Sequence, residues 1–184
     1  MAVSAKDVME LRRQTDCGMM ECKKALVKAD GDINKAIEIL REEGLATAAK
    51  KAGRIAAEGM VYAVANANGA VVVEVNAETD FVAKNDKFMD FVKGVARTII
   101  ATAPADVEAL CATAYDGTDR TVTETLNDLI LSIGENMKIR RFTRYEGDCV
   151  AYIHGGGTHA VLVAFDTDLA GKPEFETCGK DVAM

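Results

Sequence analysis

The stretch Val71-Val72-Val73-Glu74-Val75-Asn76-Ala77-Glu78-Thr79-Asp80-Phe81-Val82-Ala83-Lys84 decides how this chain is read. Val71, Val73 and Val75 alternate with Val72, Glu74 and Asn76, which is the period-two pattern of a strand. Polar residues follow, and a helix is expected to begin around Asp80, Phe81 and Val82. A strand-to-helix junction runs over the protein surface. The Phe81 ring, beside a carboxylate, is therefore either tucked back into the core or presented to a partner, and the choice between the two sets the function.

Upstream of this stretch, Met60–Ala65 and Ala70–Asn76 flank Asn66-Ala67-Asn68-Gly69, a hairpin signal. Downstream, Phe88, Phe91, Val92, Val95 and Ile99 form one apolar stripe of a helix that Pro104 ends. Leu126, Leu129, Ile130 and Ile133 mark another, ended by Gly134. Three strands follow. Met137–Tyr145 puts Met137, Ile139, Arg141, Thr143 and Tyr145 on one face. Glu146-Gly147-Asp148 turns into Cys149–Ile153, and His154-Gly155-Gly156-Gly157 turns into Ala160–Asp166. Short connections favour antiparallel pairing. The expected fold class is α+β: an antiparallel sheet packed with helices. Pro173 begins a last helix.

Residues 1–44 read as a three-helix unit. Ser4 with Asp7 is a capping-box pattern, Gln14 to Gly18 breaks the first helix, and Asp30-Gly31-Asp32 separates the second from the third. Ile33, Ala36, Ile37 and Leu40 share one face of the third helix, and Gly44 is placed as its terminator. Residues 45–57, rich in Ala and Lys, are expected to be a helical linker. The domain reading is thus 1–44, 45–57 and 58–184.

The chain has 184 residues and a net charge of −7, unevenly spread. Residues 1–54 carry 11 Lys and Arg against 9 Asp and Glu, a balance of +2, and the remainder carries 11 against 20, a balance of −9. An acidic body argues against phosphate-backbone binding and suits a protein that docks other proteins. No apolar run is long enough for a membrane span. The first residues lack a signal-peptide core, so a cytoplasmic location is expected. Five cysteines without a Cys-x-x-Cys pair, and only two histidines, fit neither a disulfide framework nor a zinc site. They read as small, mostly buried apolar residues.

No phosphate-binding Gly-rich loop with Lys-Ser/Thr is present, and no Gly-x-Ser-x-Gly elbow. His154-Gly155-Gly156-Gly157 has the look of an esterase oxyanion loop, but it comes without a nucleophile elbow, so a strand turn is the simpler reading. His154 and His159 alone make a poor metal site. Surface presentation remains. Met19 and Met20 are neighbours at a helix start and cannot share a face, so at least one is partly exposed, with Arg12 and Arg13 one turn earlier. Core burial of one Met and simple solvation of the arginines are the plainer alternatives.

Several segments resemble bacterial elongation factor Ts: Leu11-Arg12-Arg13-Gln14-Thr15, Gly18-Met19-Met20-Glu21-Cys22-Lys23-Lys24-Ala25-Leu26, and Gly31-Asp32 before Ala36-Ile37. So do Ala49–Arg54 with Ala56–Gly59, Thr79-Asp80-Phe81-Val82-Ala83-Lys84, Ile133–Arg141, His154-Gly155 and Lys172-Pro173-Glu174-Phe175. The resemblance runs in order along nearly the whole chain.

This resemblance implies a non-enzymatic guanine-nucleotide exchange factor of protein biosynthesis. Its partner would be elongation factor Tu, the GTPase that carries aminoacyl-tRNA during translation elongation, and no cofactor or metal of its own is implied. It implies that Phe81 wedges between helices of the GTPase while Asp80 disturbs the Mg²⁺ region, with Thr79 and Val82 completing the motif. It implies that the N-terminal head is UBA-like and grips the partner through Arg12, Met19 and Met20, and that His154 touches another domain of the partner. Many family members carry a second core subdomain after this point, and shorter ones look able to pair, so a fragment and a short homodimeric form both stay open. Two other functions stand beside exchange: a module that docks a GTPase without driving release, and an esterase built on the His154 loop.

Overall fold

The computed structural model describes residues 3–15 and 17–184. Met1, Ala2 and Asp16, the last within the break expected over Gln14–Gly18, lie outside them. The chain forms two compact units: residues up to Ile55 with Thr123–Asn136, and Ala56–Val122 with Met137–Met184.

The first unit is helical. Ser4 opens α1 (Ala5–Thr15) by a reciprocal cap: its hydroxyl accepts from the Asp7 N–H at 3.2 Å, and Asp7 Oδ2 accepts from the Ser4 N–H at 3.2 Å. Asp30 and Gly31, both at positive φ, turn α2 (Met19–Lys28) into α3 (Ile33–Lys51), whose cap Asp32 accepts from the Lys35 N–H at 3.1 Å. Val8, Leu11, Cys22, Ala25, Leu26, Ala36 and Leu40 form the core. Leu131 of α7 (Val122–Ile133) packs against it, so this later helix joins the head rather than the sheet. Helix α3 does not stop at Gly44, as the sequence suggests, but continues to Lys51. Gly44 is buried where the α7 backbone passes: a Cβ there would stand 3.5 Å from the Asn127 carbonyl oxygen. Gly44 thus lies inside a continuing helix and does not terminate it.

The second unit is α+β. β1 (Glu58–Asn66) and β2 (Gly69–Ala77) form the expected hairpin, and β3 (Met137–Tyr145) pairs antiparallel with β2, giving the order β1-β2-β3. α5 (Asp86–Thr102) lies against β1 and β2, with Phe88, Phe91, Val92, Val95 and Ile99 buried as the stripe predicts. Its last turn is closed by Ala103 in the left-handed region at φ 45°. A short helix α6 (Val107–Ala112), capped by Asp106, was not legible in the sequence.

Two strand expectations are corrected. The strands form two sheets rather than one, because β4 (Asp148–His154) and β5 (His159–Phe165) pair only with each other, while the Val61 N–H reaches across from β1 to the Gly157 carbonyl at 2.8 Å. The β3 alternation breaks at a bulge: Glu74 pairs with Arg141 and Val75 with Ile139, which leaves Arg140 without an opposite residue. Met137 and Ile139 are buried, but Arg141 and Thr143 turn outward and Phe142 turns in. Glu74 holds both arginines, with Arg141 Nε at 2.7 Å and Arg140 Nε at 3.6 Å. Asn76 is buried in the central strand and donates to the Glu58 carbonyl at 3.2 Å. The unit ends in α8 (Pro173–Ala183), whose Phe175 stacks edge-on against Phe165 at 5.2 Å.

Cys17 and Cys22 are buried, Cys111 and Cys149 half-buried and Cys178 exposed, so burial holds for the N-terminal pair more than for the rest. Among the described residues no group of three or more His, Cys, Asp and Glu could hold a metal ion. Among them, too, no helix is long and apolar enough to cross a membrane.

Candidate partner-binding site

The junction after β2 is a single helical turn, α4 (Asp80–Ala83). Four residues cannot hold a helix by propensity alone, so its fixing points are specific. Thr79, extended at φ −129° and ψ 157°, caps it by accepting from the Val82 N–H at 3.4 Å. Val82 drives its side chain into the core and is 5% exposed. The Asn85 N–H donates back to the Val82 carbonyl at 2.9 Å, and the Asn85 side chain accepts from the Lys87 N–H at 3.0 Å, opening α5 at once. With Val82 turned inward, its neighbour Phe81 must point away, and its ring is 83% exposed. Of the two outcomes the sequence left open, the ring is out.

Asp80 sits beside it with its carboxylate 2.7 Å from the Lys84 ammonium, one turn on. The hydrogen bond from Lys84, then its charge, hold the Asp80 carboxyl below the usual carboxylate range, and the same contact raises Lys84. Asp80 is therefore an anion and Lys84 a cation over all ordinary pH. Sequence reading missed Lys84 as Asp80's partner, although the i,i+4 spacing was the signal for it.

In the helical unit, Gly18 in extended conformation precedes α2 without a side-chain cap. The buried stripe of α2 is Cys22, Ala25 and Leu26. Met19 stands in line with that stripe but is 52% exposed, and Met20 is 58% exposed. Both thioethers face water, more than the one that helical geometry required. Arg12 is exposed in the last turn of α1, next to the fully buried Leu11. Burial pushes the Cys22 thiol up, while the Thr15 hydroxyl and the charge of Arg12 pull the other way.

His154 ends β4 exposed, opposite His159, with ring centroids 6.3 Å apart. Its Nδ1 lies 2.9 Å from the Tyr152 hydroxyl, and His159 Nδ1 lies 3.1 Å from the Thr158 hydroxyl. Gly155, Gly156 and Gly157 all take positive φ, at 59°, 68° and 101°. That conformation accounts for the glycine run as a tight strand turn. A Cβ on Gly157 would also fall 2.9 Å from Met60 Cε.

The sequence-predicted residues thus fall in the two units: Thr79, Asp80, Phe81 and Val82 on one turn of the α+β unit, His154 on a hairpin of that unit, and Arg12, Met19 and Met20 on the helical unit. Three of the eight, Phe81, Met19 and Met20, are large apolar side chains offered to water from ordered backbone. These three side chains leave apolar surface open to contact with another molecule.

A family model described as Elongation factor TS matches residues 78–184, which include the Phe81 turn and the His154 hairpin. The chain is similar to the elongation factor Ts of Syntrophotalea carbinolica, 48% identical over 187 residues, and to that of Trichlorobacter lovleyi, 51% identical over 193. Each alignment covers 100% of this chain and 62% of the relative. The elongation factor Ts of Clostridium perfringens is 48% identical over 187 residues, covering 99% of this chain and 61% of its own length. The chain belongs to the elongation factor Ts family, and it spans about three-fifths of the length of these relatives.

Proposed function

We propose that the chain binds elongation factor Tu in its GDP-bound form and promotes release of the nucleotide during translation elongation. The observation that carries this reading is Phe81: an aromatic ring 83% exposed on a turn pinned by a cap, a buried valine and the start of the next helix. An outward benzyl group on a backbone already held in place is suited to entering a gap between helices of another protein, because the turn that carries it need not be ordered on docking. Asp80 then arrives as a carboxylate beside the partner's Mg²⁺ region. Mg²⁺ neutralises phosphate charge, so loosening it weakens nucleotide binding. The coupling is reciprocal: if this chain lowers the affinity for GDP, GDP lowers the affinity for this chain by the same factor. It therefore binds the nucleotide-free partner best, and incoming GTP displaces it.

The helical unit supplies grip in this reading, through Met19 and Met20 with Arg12 beside them, and His154 adds a smaller contact. The chain is an exchange factor in this account and not an enzyme. Substoichiometric amounts are expected to accelerate loss of a fluorescent GDP analogue from elongation factor Tu. Unchanged release at saturating protein rejects the proposal. Tight binding without any change in the nucleotide off-rate would favour the docking-only reading, which the exposed methionines support without involving Phe81.

A further inference from the structure

Lys84 closes the turn that carries Phe81, and neither the motif reading nor the exchange argument gives it a role. Its Nζ lies 2.7 Å from Asp80 Oδ2, and the two side chains are 77% and 54% exposed. A pair so exposed contributes almost nothing to stability, because solvent screens it and two flexible side chains must be held together. The turn does not need it either. Thr79 caps the front of α4, Val82 anchors the middle, and the Asn85 N–H closes the back onto the Val82 carbonyl. The backbone of Lys84 is itself held, its N–H donating to the Asp80 carbonyl at 3.2 Å. The ammonium therefore travels wherever Phe81 and Asp80 go, and it can change partners by rotating its own stem. Lys is suited to that: it is a compact charge with three donors on a flexible chain. The other charged group that acts on it is Glu58, at the start of β1.

This inference rests on the exchange reading. A nucleotide-bound GTPase holds its Mg²⁺ between phosphate oxygens and a protein carboxylate. When the metal is dislodged, two positive charges leave a site of concentrated negative charge, and Asp80 brings one more. An unaccompanied Asp80 would be repelled by the groups the metal leaves behind. We propose that Lys84, parked on Asp80 in the free protein, swings to the phosphate and carboxylate oxygens of the partner's metal site and offsets the charge that Mg²⁺ had neutralised. The turn then works as three side chains in succession: Phe81 opens the gap, Asp80 disturbs the metal, and Lys84 stabilises the metal-free, nucleotide-bound intermediate through which release proceeds.

The test is GDP-analogue release from elongation factor Tu by Lys84→Met, Lys84→Arg and Phe81→Ala forms of the 184-residue chain, each titrated to saturation at several monovalent salt concentrations. Lys84→Met keeps the stem and removes the charge. It is expected to lower the maximal release rate about tenfold, with the half-saturating concentration within about threefold of the parent and an unchanged melting temperature. Lys84→Arg is expected to stay within about threefold of the parent, and added salt is expected to narrow the gap between Met and Lys. A merely structural role for Lys84 would move the melting temperature and show no such salt dependence. If Phe81→Ala is defective while Lys84→Met releases nucleotide like the parent, or if Arg fails as badly as Met, the charge-replacement role is overturned and the exchange reading stands. If Lys84→Met is defective while Phe81→Ala is fully active, the wedge is wrong and the charge role survives. Full activity in both overturns both.

Discussion

Phe81→Ala separates a presented ring from a structural one. The ring is 83% exposed in the free protein, so its removal forfeits little native packing, and surface substitutions of this kind stay within about 0.5 kcal/mol. For a chain of this size that corresponds to a melting shift of about 1–2 °C. On the partner the same ring would pass from water to a closed gap. Full burial of a Phe side chain contributes roughly 1.5–3 kcal/mol, and every 1.36 kcal/mol taken from a barrier is tenfold in rate. If the contact forms only as the nucleotide site opens, the maximal release rate falls about 10- to 150-fold and half-saturation barely moves. If it forms equally in the first encounter complex, half-saturation rises instead. The assay is stopped-flow loss of a fluorescent GDP analogue from elongation factor Tu across a range of concentrations of this chain, beside a thermal melt of the variant alone. Parent-like release at saturation refutes the wedge. A melting temperature that falls in step with activity refutes the claim that the free protein does not need the ring.

Val82→Ala should give the opposite signature, because its side chain is buried beneath the same turn: a loss of about 1–3 kcal/mol in denaturant unfolding, with exchange weakened only as far as the turn loosens. Met19→Ala and Met20→Ala remove half-exposed thioethers, so each should leave unfolding unchanged while raising the half-saturating concentration roughly fivefold, since only part of a methionine's burial remains to be gained on docking; an effect on maximal rate alone would show that they do not grip. For Asp80, ¹³C-detected titration of the carboxyl should give a pKa below the ordinary 3.8, moving back up in Lys84→Met. The sign follows from linkage: a carboxyl lowered in the folded state contributes its stability above the unfolded pKa and loses it as pH falls through the folded value, so the Asp80–Lys84 contact persists through neutral and mildly acidic pH. A Lys84→Met titration identical to the parent's would deny the contact in solution.

The sequence announced what depends on local pattern. β2 and the α5 stripe were legible because their periods of 2 and 3.6 are written directly in Val71–Val75 and in Phe88–Ile99. The Ser4–Asp7 and Asp32 caps were legible because capping is settled within four residues. What was not legible depends on distant neighbours. The bulge at Arg140 is set by the pairing of β3 with β2, where Arg141 lies opposite Glu74, 67 positions earlier, and it inverts the outer half of β3. Asn76 is buried in the central strand and finds its hydrogen-bond partner, the Glu58 carbonyl, 18 positions earlier on β1, and Leu131 packs against the core of the first unit from far along the chain. At the candidate site, residue types and spacing marked Phe81 as one of two things. Only the inward turn of Val82, with Thr79 and Asn85 on either side, decides that the ring faces out.

The magnitudes also say why one ring is not enough. A thousandfold acceleration of nucleotide release needs a barrier about 4 kcal/mol lower, and in the proposed reading Phe81 would supply at most roughly 1.5–3 kcal/mol, all of it only if its contact is absent before the site opens. The distorted partner must then be held by contacts elsewhere, and stable interfaces bury something like 1,200–2,000 Å² in total. The α4 turn is four residues long and offers one large exposed apolar side chain, far short of that area. The helical unit offers Met19 and Met20 on a surface of its own, where flexible thioethers can fill an irregular groove. In the proposed reading the two contact sets would divide the work by chemistry: an aromatic ring and paired charges where a specific distortion is needed, adaptable methionines where grip is needed. It follows that deleting the helical unit's contacts should cost affinity far more than maximal rate, and deleting the turn's side chains should do the reverse.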